Sequence, residues 1–155
     1  MMTVKELMSR ELYTLKPDDT VHEARQLMLS KQIRHIPVID EQEQLIGLLS
    51  QRDVLAASIS TLADLEAQER EELESGIPIN KIMTTNVVIA EEDTNLLKAT
   101  QFMLSQKQGC LPVLRGKQLI GILTETDFVK LAHHLMKKMA EYETQPNTSL
   151  SNTSN

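Results

Sequence analysis

The chain contains the same sequence pattern twice. Residues 45–53 read LIGLLSQRD and residues 119–127 read LIGILTETD, while the preceding segments 34–39 and 109–114 read RHIPVI and GCLPVL. The first pair of segments is 74 residues apart and the second pair is 75 apart, so the copies differ by one residue in the intervening turn. A turn accepts such a change without disturbing the strands beside it. This repetition indicates two copies of one supersecondary unit.

The length of the chain limits how the copies can fold. A single copy of about 55 residues buries too little apolar surface to be more than marginally stable. At 155 residues, the chain suits one α/β domain in which two copies pack against each other. The predicted division is a first repeat at 1–57, an acidic helical linker at 58–76, a second repeat with an extended C-terminal helix at 77–143, and a disordered tail at 144–155.

Each copy predicts a strand, a helix, two strands that form a hairpin, and a second helix. In the first copy these are a strand at 12–15, a helix at 21–31, strands at 35–39 and 45–49, and a helix that begins at Gln51. Asp19 or Thr20 suits the N-cap of the first helix, with Glu23 completing a capping box. Ser50 suits the N-cap of the second helix. The uninterrupted apolar run of the last strand predicts that both its faces are buried.

The second copy follows the same plan. It predicts a strand at 87–90, a helix capped by Asp93 or Thr94, a hairpin of 110–114 and 119–123, and a last helix capped by Thr124. The residues predicted to face inward from the first of these helices are Leu96, Ala99, Met103 and Leu104. The last helix repeats apolar residues at helical spacing, at Phe128, Leu131, Leu135, Met136 and Met139.

The segment between the copies divides into two halves. The first half keeps an apolar stripe at Leu55, Ile59 and Leu62, and the second half is acidic. We therefore expect a helix that first packs and is then solvated. Docking of a partner on the acidic half is the alternative. Gly76 ends this segment, and Pro78 begins an extended path into the second copy.

Composition argues against several classes of function. The chain has no Trp, two Phe and two Tyr, so a platform for stacking single-stranded nucleic acid is not expected. A net charge of −6 also disfavours a nucleic-acid backbone as partner. No apolar run is long enough to span a membrane, and the charged N-terminal residues do not resemble a signal peptide. A single cysteine fits a reducing compartment, so we expect a cytoplasmic protein.

Reactive and metal-binding side chains give weak signals. His133 and His134 are adjacent on a predicted helix and point about 100° apart, so no metal site is expected. Cys110 begins a buried strand and is interpreted as a small apolar core residue. The sequence shows no nucleophile–base set, phosphate-binding glycine loop or dinucleotide fingerprint. We therefore expect no enzymatic activity and no required cofactor.

One polar pattern recurs at the end of a buried strand. In each copy a cap hydroxyl is followed three residues later by a carboxylate, at Ser50 and Asp53 and at Thr124 and Asp127. Taken singly, each is an ordinary helix cap or first-turn acid. Together, a carboxylate can accept hydrogen bonds from two vicinal hydroxyls while the free amides of a helix start attract an anion. Ribose and phosphate meet both requirements.

These motifs resemble the cystathionine-β-synthase (CBS) domain, and the tandem pair resembles a Bateman module. The resemblance rests on the openers LMS at 7–9 and IMT at 82–84, the two proline-containing strands, and the repeated Gly–Ser/Thr–Asp pattern. It implies an α/β fold of two repeats related by a pseudo-twofold axis, with clefts that bind adenosine-containing ligands. The family's ribose-binding aspartate then falls on Asp53 and Asp127.

The resemblance implies two clefts, each combining the aspartate end of one repeat with the helix entry and pre-proline segment of the other. The first predicted cleft contains Thr20, Ala24, Ile33, Arg34, His35, Ile36, Pro37, Thr124, Thr126 and Asp127. The second and weaker cleft contains Ser50, Arg52, Asp53, Thr94, Ala99, Gln108, Gly109 and Cys110. We expect the nucleotide in the first cleft, because the basic pair Arg34 and His35 would meet its phosphate. The adenine is expected near Ala24, Ile33 and Ile36.

The function implied by this resemblance is that of a sensor. The expected ligand is AMP, ADP, ATP or another adenosine derivative, and the chain is expected to act as a homodimer, in trans, on an unknown protein partner. One alternative is a structural scaffold whose clefts no longer bind nucleotide. Another is an enzyme, for which Asp127 and His35 would supply the titratable pair.

Overall fold

The computed structural model describes residues 1–62 and 66–144. In chain order, its α-helices are α1 (Val4–Leu7), α2 (Val21–Lys31), α3 (Gln51–Leu62), α4 (Ala67–Glu74), α5 (Leu96–Gln106) and α6 (Glu125–Thr144). A 3₁₀ turn spans Ile79–Lys81. The strands are β1 (His35–Ile39), β2 (Leu45–Ser50), β3 (Ala90–Glu91), β4 (Cys110–Arg115) and β5 (Gln118–Thr124).

Two small sheets carry the hairpins that the sequence predicts. β1 and β2 form an antiparallel pair in which His35 lies opposite Ser50. The second sheet has the order β3–β4–β5, with β3 parallel to β4 and β4 antiparallel to β5. Cys110 lies opposite Thr124 in the second hairpin, so the two repeats share one register.

The first strand of each copy is shorter than predicted. Residues 12–15 reach β1 through Leu15, which donates to the carbonyl of Pro37 and accepts from the amide of Ile39. A turn then closes directly, because the amide of Lys16 donates to the Asp19 carboxylate at 2.7 Å. In the second copy the strand is the two-residue β3 rather than 87–90.

The helix caps agree with the sequence at α2 and differ at α5. Thr20 and Glu23 form the predicted capping box at the start of α2. At α5 the N-cap is Asn95, whose Oδ1 accepts hydrogen bonds from the amides of Leu97 and Lys98. The prediction of Asp93 or Thr94 is wrong, because the Thr94 hydroxyl instead accepts from the amide of Glu91 and closes the preceding turn.

The two repeats exchange their opening segments. The first hydrophobic core combines residues of α2, β1 and β2 with Ile79 from the start of the second copy. The second core combines residues of α5, β4 and β5 with Val4 and Met8 from the N-terminus of the chain. Paired backbone hydrogen bonds complete the exchange, between Ser9 and Ile122 and between Leu48 and Thr84. Each core therefore needs residues from both copies, which joins the repeats into one folding unit.

The strand glycines make this exchange possible. A Cβ at Gly121 would stand 2.5 Å from Met8 Sδ, and one at Gly47 would stand 2.6 Å from Met83 Sδ. Real side chains do not approach so closely, so a larger residue would displace the incoming methionine. Gly47 and Gly121 are thus the points at which each opener docks on the opposite repeat.

A buried ion pair ties α4 to the first repeat. The Glu74 carboxylate is 1% exposed and accepts hydrogen bonds from Nε and Nη2 of Arg25 at 2.6–3.1 Å. Ser58 on α3 donates to the same carboxylate at 3.1 Å. The sequence predicted that the acidic half of the linker is solvated, and Glu74 is the exception. Its burial holds α2, α3 and α4 together.

Several apolar side chains predicted to face inward or pack are exposed. Leu104 is 80% exposed and Leu55 is 52% exposed. Val54 and Ser58 form the buried face of α3 instead. On α6, Phe128 and Leu131 pack on the second core, whereas Leu135, Met136 and Met139 are exposed. The side chains of Ile59 and Leu62, and the predicted tail beyond residue 144, lie outside the described residues.

Candidate functional site

A cavity of about 350 Å³ lies where the end of β2 faces the segment before β4. We call it the Asp53 cavity, and its wall consists of Arg34, His35, Leu48, Ser50, Gln51, Arg52, Asp53, Thr84, Lys107, Gln108, Gly109 and Glu125. The first repeat contributes the segments before β1 and after β2. The second repeat contributes Thr84, the segment before β4 and the first residue of α6. The cavity is therefore built at the seam between the repeats, and its volume is within the range of small-ligand sites.

Hairpin register explains which residues meet here. Because His35 lies opposite Ser50, the residues before β1 stand beside the residues after β2 of the same repeat. The amide of Gln51 donates to the carbonyl of Arg34 at 2.8 Å and fixes this corner. The second repeat repeats the arrangement, with the amide of Glu125 donating to the carbonyl of Gly109 at 3.2 Å.

This register differs from the predicted division into two clefts. The resemblance predicts Arg34 and His35 beside Asp127, across the repeats, whereas in the structure they line one cavity with Asp53 of their own repeat. Ser50, Arg52, Gln108 and Gly109 of the second predicted cleft line the same cavity. Thr124, Thr126 and Asp127 occupy the equivalent corner of the second repeat, after β5. The cavity thus combines the basic pair of the first predicted cleft with the carboxylate of the second.

Asp53 has one carboxylate oxygen engaged and one available. Its Oδ2 accepts a hydrogen bond from the amide of Ser50 at 2.9 Å, and the Ser50 hydroxyl accepts from the amide of Asp53 at 3.1 Å. Thr124 and Asp127 form the same reciprocal cap at the start of α6. Within the described residues, Oδ1 of Asp53 accepts no hydrogen bond. The cap holds the carboxylate in position and leaves that oxygen for a ligand.

His35 is a partly buried titratable group in the cavity wall. Burial lowers its pKa below the ordinary value of 6.5, and the nearby Arg34 guanidinium acts in the same direction. The carboxylates of Glu125 and Asp53 oppose this shift. The imidazole lies against Gly109, where a Cβ would stand 2.9 Å from its Nε2. The histidine is therefore a neutral hydrogen-bonding group near pH 7.

The charges of the wall are mixed but mostly basic. Arg34, Arg52 and Lys107 are exposed cations from three different segments. Lys107 reaches the cavity because it ends α5 in the left-handed conformation, with φ of 52°. Asp53 and Glu125 are the acidic residues of the wall. Such a site attracts an anion while retaining a carboxylate that can accept hydrogen bonds from hydroxyl groups.

Other predicted site residues lie in the hydrophobic cores. Ala24 and Ile36 are completely buried in the first core, and Ala99 is completely buried in the second. Ala24 and Ile36 therefore offer no exposed side-chain surface to an adenine, whereas Ile33, the third residue predicted to lie near it, is half-buried. The remaining residues of this group have structural roles at caps, turns and strands, namely Thr20, Ile33, Pro37, Thr94 and Cys110.

Cys110 has the environment of a core residue. It is fully buried at the start of β4, where burial raises the pKa of its thiol to about 12. A thiol that stays protonated is a poor nucleophile and metal ligand. The interpretation of Cys110 as a small apolar residue agrees with this environment.

Five residues of the wall were not predicted from the sequence: Leu48, Gln51, Thr84, Lys107 and Glu125. Gln51 and Glu125 follow the cap residues in the two copies, so hairpin pairing could have indicated both. Thr84 enters through the exchange of opening segments, which sequence patterns do not reveal.

The described ranges contain neither a cluster of metal-ligating side chains nor a helix suited to a membrane. No group of three or more His, Cys, Asp or Glu side chains there is arranged to hold a metal ion. Every helix there falls short of the length and apolar character that a bilayer-spanning segment requires.

The chain is similar in sequence to a known domain family and to known proteins. The family model for the CBS domain matches residues 4–60 and 79–134. An uncharacterized protein of Methanocaldococcus jannaschii is 30% identical over 128 residues, which are 83% of this chain and 42% of that protein. The chloroplastic CBS domain-containing protein CBSX1 of Arabidopsis thaliana is 34% identical over 150 residues, which cover 84% of this chain and 64% of that protein. The chain thus spans less than two thirds of either relative.

One solved structure matches this chain over nearly the whole length of the solved chain. The crystal structure of CBSX2 of Arabidopsis thaliana in complex with AMP is 30% identical in sequence and has a TM-score of 0.72. The match covers 88% of this chain and 99% of that one. With both repeats matched by the family model and the same architecture in a solved relative, this chain belongs to the CBS domain family.

Proposed function

We propose that the chain is a regulatory module that binds an adenosine-containing nucleotide in the Asp53 cavity. The observation that carries this proposal is the convergence of an available carboxylate oxygen on Asp53 with cations from both repeats. A ribose with two vicinal hydroxyls and a phosphate present the complementary groups. The proposal assigns the chain no catalysis.

Each wall residue then has a role in binding. Asp53 Oδ1 accepts hydrogen bonds from the ribose hydroxyls. Arg34 and His35 meet the phosphate, and Leu48 is the apolar residue of the cavity wall. Binding of a phosphate favours the protonated form of His35, so the imidazole takes up a proton as the ligand binds. The AMP bound to CBSX2, which is 30% identical to this chain, supports an adenosine ligand of this kind.

Regulation follows from the position of the cavity at the seam. A ligand that contacts both repeats stabilises one relative arrangement of them, and it shifts the equilibrium only by its differential affinity for the two arrangements. A partner protein acting in trans would recognise that change.

We also propose that the chain forms a homodimer through the exposed apolar face of α6. Leu135, Met136 and Met139 are each more than half exposed on this helix. A contiguous apolar face of this kind is typical of an interaction surface. Light scattering coupled to size exclusion tests this, because Met136→Glu should convert a dimer to a monomer, and a monomeric wild type would contradict it.

Matched aspartate variants test the binding site. Calorimetry with AMP is carried out on wild type, Asp53→Ala and Asp127→Ala. Both variants lose the same type of helix cap, at a cost of about 1 kcal/mol of stability. Asp53→Ala alone removes a carboxylate from the cavity, so it should weaken AMP binding about 10- to 100-fold while Asp127→Ala retains it.

Two outcomes would contradict the proposal. Loss of AMP binding in Asp127→Ala but not in Asp53→Ala would show that the ligand binds beside Asp127, after β5. An absence of binding for every adenine nucleotide at millimolar concentration would favour a structural scaffold instead.

A further inference from the structure

We infer that Glu125 sets the charge selectivity of the Asp53 cavity, so that the cavity binds an adenosine monophosphate more tightly than the corresponding triphosphate. This inference rests on the proposed nucleotide-binding function, and it names the ligand class within it.

The position of Glu125 is unusual among the charged groups of the wall. It is the first residue of α6 in the second repeat, and its amide is bonded to the carbonyl of Gly109. Arg34, Arg52 and Asp53 come from the first repeat. Glu125 therefore brings an acidic side chain across the seam, into a group of cations contributed mostly by the opposite repeat.

Gly109 brings this carboxylate close to the anion-binding end. The point that a Cβ of Gly109 would occupy is 3.3 Å from Glu125 Oε1 and 2.9 Å from His35 Nε2. Because Gly109 has no side chain, nothing from this residue separates the carboxylate from the imidazole. Glu125 thus stands beside the end of the cavity where Arg34 and His35 would hold a phosphate.

The effect on binding depends on the ligand's charge. The first phosphate meets Arg34, and Arg52 and Lys107 contribute to the attraction. Additional phosphates add negative charge in the same region, where the repulsion from Glu125 offsets the attraction of Arg52 and Lys107. Since the Glu125 side chain is exposed, water and salt screen this repulsion, which leaves roughly a tenfold effect between a monophosphate and a triphosphate.

The first repeat supplies a natural reference for this position. Gln51 follows the cap Ser50 as Glu125 follows the cap Thr124, and both side chains line the cavity. Glu125→Gln therefore gives both positions the same neutral amide with little change in shape. Gln51→Glu is the reciprocal variant and adds a second carboxylate to the wall.

The experiment measures AMP, ADP and ATP binding by calorimetry, without magnesium and at constant ionic strength. Wild type should bind AMP about tenfold more tightly than ATP. Glu125→Gln should bring that ratio close to one, and Gln51→Glu should increase it. Glu141→Gln, an exposed charge-removing change near the far end of the same helix, should leave it unchanged. The ratio of two ligands on one protein preparation does not depend on the fraction folded.

The outcomes separate this inference from the proposed function. If AMP binds but Glu125→Gln leaves the AMP-to-ATP ratio unchanged, Glu125 does not set selectivity, while the nucleotide site stands. Equal changes in Glu125→Gln and Glu141→Gln would reduce the effect to overall net charge and would also overturn it. If no nucleotide binds to wild type or to any variant, the proposed function fails, and the selectivity inference fails with it.

Discussion

The variant Arg25→Met removes the guanidinium from the buried ion pair and leaves the Glu74 carboxylate in place. Glu74 is 1% exposed, and Arg25 binds it through both Nε and Nη2. Methionine keeps much of the length and apolar stem of arginine but cannot donate a hydrogen bond. The hydroxyl of Ser58 then remains as a donor to a carboxylate that water cannot readily reach.

The expected cost follows from that burial. Leaving one charge of a buried pair uncompensated costs about 3–5 kcal/mol. The Arg25 side chain is 28% exposed, so some water can enter where it stood, and we expect the lower limit of about 3 kcal/mol. For a chain of this size each kcal/mol corresponds to about 2–4 °C, so the Tm should fall by about 6–12 °C.

Urea unfolding followed by circular dichroism measures the change, and the surface pair Arg115–Glu92 provides the control. Arg115 also binds its partner through Nε and Nη2, but the two side chains are 62% and 30% exposed. Arg115→Met should therefore change the unfolding midpoint little. The double variant Arg25→Met/Glu74→Met, which removes both charges, should recover most of the lost stability. Equal losses for Arg25→Met and Arg115→Met, or no recovery in the double variant, would refute the reasoning.

Three further predictions concern the exchange of segments, the buried thiol and the cavity histidine. Gly121→Ala should destabilise the protein by about 1–3 kcal/mol by displacing Met8, whereas Gly76→Ala, whose Cβ would lie 3.5 Å from its nearest neighbour, should be nearly neutral in urea unfolding. Cys110 should react with a thiol reagent at pH 8 only as fast as the protein unfolds, because burial raises its pKa to about 12; rapid labelling of the folded protein would contradict this. Burial lowers the pKa of His35 in the folded state, so the unfolded state binds the proton more readily. Protonation therefore favours unfolding. The stability that the neutral histidine allows is complete above about pH 6.5 and declines as the pH falls below it. The stability difference between wild type and His35→Gln should therefore shift against wild type between pH 7.5 and pH 5.5, and a constant difference would show that the histidine is not desolvated.

The part of the fold that the sequence predicts well depends on short-range signals. The hairpins, the α2 helix and the caps at Thr20, Ser50 and Thr124 all involve residues a few positions apart. Even at this range one cap was missed, because Asn95 and Thr94 are adjacent and both suit the N-cap position. Helical spacing also assigned Leu104 to the core, although a spacing pattern alone does not show which way a helix faces.

For the candidate site, too, the sequence predicts the short-range features and not the long-range ones. The repeated Ser/Thr–x–x–Asp pattern identified Asp53 and Asp127 as a related pair. It did not show which of them shares a cavity with Arg34 and His35, because that depends on strand register and on how the two copies pack. Nor did it identify Glu125, which reaches the cavity from the other repeat.

The sequence by itself determined the duplication, the order of elements within each copy and the membership of the CBS domain family, since each depends on local pattern. Only the tertiary structure decided that residues 1–9 complete the second core, that Glu74 is buried against Arg25, and that the basic corner belongs to Asp53. The physical reason is the separation of the partners. Arg25 and Glu74 are 49 residues apart, and Met8 lies far from Gly121 along the chain. Contacts of this kind arise from the packing of segments that are distant along the chain, which local sequence patterns leave undetermined.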